Sequence, residues 1–105
     1  MGTIAVDVAL VNGRIRTGDP RRPVADGMAV SGSILALVGS SAEVRKLAGR
    51  DARVINLKGG IVLAVPDADA VFRRGAAASF AVLSQNDESE CFRMIDGEIL
   101  LDELS

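Results

Sequence analysis

Along this chain apolar residues fall at alternate positions or in short unbroken runs, and glycine, proline or asparagine interrupts them at close intervals. Ile4, Val6, Val8 and Leu10 alternate with Ala5, Asp7, Ala9 and Val11, the period of a half-buried strand. Asn12-Gly13 follows at once, a dipeptide that tolerates positive φ at both positions of a tight hairpin turn. The pattern therefore predicts that Arg14 to Thr17 returns beside the first strand, with Ile15 inward and the arginines outward. Gly18-Asp19-Pro20-Arg21-Arg22-Pro23 cannot continue a strand and reads as a surface loop. Met28 to Ser31 and Ile34 to Val38 form a second predicted pair about Gly32-Ser33. Ala52 to Leu57 and Ile61 to Val65 form a third about Lys58-Gly59-Gly60. Ile34 to Val38 is apolar on both faces, and the unbroken run Ile61 to Val65 predicts a strand covered on both.

One segment has helical signals instead. Ser40-Ser41-Ala42-Glu43 is a capping box, Ala42 to Leu47 are good helix formers, and Gly49 is placed to stop the helix. Pro66 to Arg74 reads as a bridge with room for one loose helical turn. Beyond it the β pattern resumes at Ser79 to Leu83 and, past the polar acidic loop Gln85 to Glu90, at Cys91 to Ile95. Asp96-Gly97 is a second strong hairpin signal, returning through Glu98 to Leu101. The expected fold is mainly β: a composite β-sandwich or barrel of short antiparallel hairpins with one short α-helix. A chain of 105 residues forms one domain over 1–105, its halves 1–65 and 75–105 joined by the bridge 66–74.

The order of these motifs is familiar. Val8-Ala9-Leu10-Val11-Asn12-Gly13-Arg14-Ile15, then Met28-Ala29-Val30 through Ile34 to Gly39, then Val54 to Leu63, resemble the N-terminal part of amidohydrolase-superfamily enzymes. Gly75 to Leu83 and Ile95-Asp96-Gly97-Glu98-Ile99 resemble the ends of those chains. The resemblance implies a composite β-sandwich whose two halves, in such enzymes, flank a metal-dependent catalytic barrel of about 250 residues. It also implies hydrolysis of carbon–nitrogen bonds other than peptide bonds. Here only Pro66 to Arg74 separates the halves. Where the family carries an Asp and two histidines spaced H-x-H, this chain has Asp67, Asp69 and Val71, and its histidine count is zero.

That composition limits the chemistry. A catalytic zinc needs about three N, O or S ligands around one open position, and without histidine only carboxylates and Cys91 remain. Asp67 and Asp69, or the run Asp87-Glu88-Ser89-Glu90, could meet magnesium or calcium, but read first as solvated loop charges. Cys91 with Arg93 two residues along the same strand hints at an activated thiol; a small buried hydrophobe is the plainer reading. Lys46 and Lys58 are the only lysines. Gly32 and Gly59-Gly60 sit at hairpins and lack the following Lys-Ser/Thr of a phosphate loop. Arg14, Arg16, Arg21 and Arg22 form one basic cluster, suited to discouraging edge pairing or to an acidic partner. No catalytic, cofactor or metal residue is assigned.

A net charge of −2 and three aromatic residues argue against a nucleic-acid partner. No apolar run approaches a membrane span, and a lone cysteine fits a reducing, cytoplasmic setting. Two functions are expected: a non-catalytic scaffold or oligomerising module, or an accessory part of a carbon–nitrogen hydrolase that needs a separate barrel chain. Apolar residues make up 49% of the chain, and the flank that a barrel would cover predicts a homo-oligomer, a dimer.

Overall fold

The computed structural model describes residues 5–65 and 71–104. Among these residues ten strands and one helix follow in the order β1 (Val8–Val11), β2 (Arg14–Arg16), β3 (Val24–Ala25), β4 (Gly27–Ser31), β5 (Ile34–Gly39), α1 (Ser41–Leu47), β6 (Arg53–Asn56), β7 (Ile61–Ala64), β8 (Phe80–Leu83), β9 (Glu90–Ile95) and β10 (Glu98–Asp102). The fold is mainly β with one short helix, as the pattern predicts. The strands form two mixed sheets, ordered β5-β4-β1-β6 and β10-β9-β8-β7-β2-β3.

The connections at Asn12-Gly13 and Lys58-Gly59-Gly60 differ from the expected hairpins. β1 pairs with β4 and, in parallel, with β6, whereas β2 pairs with β3 and, in parallel, with β7. Asn12, at φ 59°, and Lys58 and Gly59, at 53° and 76°, turn the chain from one sheet into the other. β1–β2, β3–β4 and β6–β7 are thus three bent strands that serve both sheets, the corner device of sandwiches whose strands switch layers. The reason lies in β1, where all four residues are buried. Val8 and Leu10 face the space between the sheets while Ala9 and Val11 lie under the helix. A strand apolar on both faces belongs in the middle of a sheet, with neighbours on both edges. Gly32-Ser33 and Asp96-Gly97 do close hairpins, β4–β5 and β9–β10.

α1 begins as its capping box requires: Ser40 Oγ accepts from the Glu43 amide at 3.1 Å and Glu43 Oε1 accepts from the Ser40 amide at 2.9 Å. Val44 inserts among Ala9, Val11, Ala29 and Ala36, small residues that let the helix lie close on the four-stranded sheet. Between the sheets, Phe80 stacks on Phe92 with centroids 5.9 Å apart, and Phe72 meets Phe80 edge-on at 6.4 Å. Phe72 comes from the bridge, which therefore contributes to the core. Residues 71–74 carry no helix, and the rest of the expected loose turn lies outside the described residues.

The run Ile61 to Val65 is not covered on both faces. β7 alternates, with Val62 and Ala64 buried and Ile61 and Leu63 each 37% exposed. β7 also joins the two halves of the chain, pairing with β8 from Ile61↔Leu83 to Ala64↔Phe80. The segment after the bridge then laces the outer edge of β5, where the Leu35 amide donates to Ala76 O and the Gly75 amide to Leu35 O.

Candidate functional site

Of the residues singled out for chemistry, Lys58, Asp87, Ser89 and Cys91 line one recess of about 250 Å³. Lys58 comes to it from the β6–β7 corner, Gln85 and Asp87 from the β8–β9 loop, Cys91 from β9, and Glu103 from the segment after β10. The corner is held by its own backbone: Gly59 N donates to Asn12 O at 2.7 Å, and Lys58 N donates to Asn56 Oδ1 at 2.8 Å. Gly59 holds the corner at φ 76°, and a Cβ there would require Gln85, whose Oε1 would lie 2.1 Å away, to swing aside. Glu103 is the participant that the sequence did not announce. Its arrival depends on the Glu103 amide donating to Cys91 O at 2.9 Å, a pairing that no local motif encodes.

Cys91 is buried, its Sγ 3.5 Å from Val82 O. Burial pushes the thiol above its ordinary pKa, and the carboxylates of Glu103, Asp87 and Glu90 push the same way. The expected alliance with Arg93 does not form. Val82 sits opposite Phe92 and Leu83 opposite Glu90, so Cys91 is the extra residue of a bulge. The bulge puts Cys91 and Phe92 on the core side together and turns Arg93 to the other face, where it pairs with Glu90. A buried thiol whose pKa is raised stays protonated and acts here as a packed side chain.

The acidic run is likewise occupied with local structure. Asp87 Oδ1 accepts from Ser89 Oγ at 2.7 Å and from Ser89 N at 3.1 Å, and these bonds hold its carboxyl below the usual range. Among the described residues no three His, Cys, Asp or Glu side chains gather as metal ligands. Asp67 and Asp69 lie outside the described residues. Val71 is partly exposed and brings no ligand atom.

The four arginines are not one cluster. Arg22 pairs with Glu43 at 3.1 Å, and Arg21, 94% exposed, lies 3.9 Å from Asp19. Arg14 and Arg16 stand apart on the outer face of β2, without an ion-pair partner among the described residues. The loop between the two pairs is ordered by buried Thr17, whose hydroxyl donates to Arg22 O and accepts from the Asp19 amide. Lys46 lines a shallow groove beside α1.

No protein-family model matches the chain. It is 39% identical over 57 residues to an N-substituted formamide deformylase of Arthrobacter pascens, a match that takes 54% of this chain and 10% of that enzyme. The chain thus spans about a tenth of that relative's length. A crystal structure of a Bacillus thuringiensis protein is similar with a TM-score of 0.52 and 30% identity, over 60% of this chain and 81% of that one. An uncharacterized metal-dependent hydrolase of Pyrococcus furiosus is similar over 52% of this chain and 12% of its own, at 30% identity and a TM-score of 0.45. No helix among the described residues is long and apolar enough to cross a membrane.

Proposed function

We propose that this chain, an amidohydrolase-like small β-domain, works as a non-catalytic oligomerising or scaffolding module. One observation carries the reading. The six-stranded sheet runs unbroken across the point where the enzymes it resembles insert a catalytic barrel, with β7 and β8 hydrogen-bonded neighbours and only a short bridge between them. The chemistry supports it too. The recess offers a protonated thiol, a loop-bound carboxylate and one lysine, and the chain has no histidine. Lys58 could face a developing negative charge, but the set holds no histidine or activated thiol to act as base or nucleophile at neutral pH.

A second reading is favoured by the likeness to the deformylase: an accessory part of a carbon–nitrogen hydrolase that needs a barrel supplied by another chain. The test is to incubate the purified chain with zinc and an N-substituted formamide and to measure bound metal and amine release. The proposal expects neither stoichiometric metal nor turnover. Turnover abolished by a chelator would overturn it.

A further inference from the structure

We infer that the outer face of the six-stranded sheet is where the chain pairs with a second copy of itself, about a two-fold axis running along the strands between β7 and β8. The inference rests on the oligomerising role proposed above and gives that role a surface.

The cross-strand register lays out this face. Arg14 lies opposite Ile61, Ile61 opposite Leu83, and Leu83 opposite Glu90. The next row runs Leu63, Ala81, Arg93 and Leu101. Beyond these, Arg16 and Val24 share the β2–β3 flank, and Ile95 and Glu98 the β9–β10 flank. The centre of the face is therefore apolar, and Val24, 67% exposed, extends it to the sheet edge. On the opposite outer face α1 covers the centre of the four-stranded sheet through Val44, and the exposed apolar residues, Val54 and Leu47, are left at its margins.

The charges at the two sides have opposite sign. The β2 flank carries two arginines without ion-pair partners among the described residues. The β9–β10 flank carries Glu90, Glu98 and Arg93, a net charge of one negative. A two-fold axis along the strands lays each basic flank over the partner's acidic flank, with Ile61 and Leu63 over the partner's β8. An axis across the strands would instead set Arg14 and Arg16 against their own copies. Charge complementarity thus selects the arrangement, and the apolar centre supplies the contact. Six short strands, spaced ~4.8 Å apart, meet across this face, an area at the low end for specific interfaces. The dimer should dissociate on dilution through the micromolar range.

Sedimentation velocity on the full chain and its variants is the test. L63E should sediment as a monomer at all concentrations, while V54E, on the other sheet, leaves the dimer intact. R14E/R16E and E90K/E98K should each weaken association by roughly tenfold or more, and an equimolar mixture of the two should recover it by restoring opposite charges on both flanks. These surface charge variants keep the test valid if L63E fails to fold. A dimer indifferent to L63E, or a mixture no tighter than its components, would overturn the assignment and leave self-association through another face. A wild-type chain that is monomeric throughout would overturn both this inference and the oligomerising role beneath it.

Discussion

Gly97 lies where the turns of the two halves of the chain come together with no room for a side chain, and replacing it tests whether the halves stabilise each other. Gly97 lies at the β9–β10 turn with φ 82°, and a Cβ there would stand 1.9 Å from Gly32 O and 2.9 Å from Gly32 C, at the β4–β5 turn. The obstacle is backbone, so no side chain can swing aside. Gly97→Ala must push the turns apart, and two hydrogen bonds run through that contact: Gly97 N to Ala78 O and Ala78 N to Ser33 O, each 2.9 Å. Losing both costs about 2 kcal/mol, and an alanine at positive φ costs ~1–2 kcal/mol more. The total of about 3–4 kcal/mol is a large share of the ~5–15 kcal/mol that stabilises a domain of this size. Gly32→Ala is the matched control, because Gly32 also has positive φ, at 61°, but nothing lies within 4 Å of its Cβ. It should cost only the conformational ~1–2 kcal/mol. Urea denaturation of both variants, followed by circular dichroism, measures the difference. Equal losses at the two positions would refute the contact between the halves.

Three further outcomes follow from the same structure. Residues 1–65 expressed alone should aggregate or stay unfolded, because β7 loses its partner β8 and the Phe80–Phe92 stack is gone; dispersed amide resonances from that fragment would contradict this. Cys91 should react with a thiol reagent only after denaturation. Its raised pKa means that the unfolded chain releases the proton first, so stability stays level below about pH 8.5 and falls as pH rises beyond it, as a pH series of denaturant midpoints would show. Ser40→Ala should cost about 1 kcal/mol by uncapping α1. Glu43, whose pKa is lowered by the hydrogen bond from the Ser40 amide and then by Arg22, supports the cap above the usual carboxylate range. That support should be lost as pH falls through the lowered value, which a nuclear magnetic resonance titration of the Glu43 carboxyl would follow.

Most elements were legible because their signals are local. The capping box at Ser40, the strands β8, β9 and β10, and the turns at Gly32-Ser33 and Asp96-Gly97 are all written in a few adjacent residues. Asn12-Gly13 and Lys58-Gly59 carry the same chemistry, yet they lead into another sheet. Positive φ announces a bend but not which strand will lie beside it, and β1, buried on both faces, already had neighbours in β4 and β6. The β7 run was misleading for a related reason: an all-apolar stretch hides its own alternation, and only the exposure of Ile61 and Leu63 reveals the outer face. At the candidate site the failure is one of parity. The bulge at Cys91 inserts one residue and turns Arg93 to the opposite side from the one alternation gives it. The split of the arginines between Asp19, Glu43 and the open face of β2 likewise depends on pairings distant in sequence.

The claim that this β-domain is an assembling module is met most directly by its mass in solution. Light scattering across a hundredfold dilution should show a species of twice the 10.9 kDa protomer mass at the concentrated end, falling toward the protomer mass as the chain is diluted. A mass of 10.9 kDa at every concentration, with no binding of an apolar dye to the open sheet face, would contradict the account.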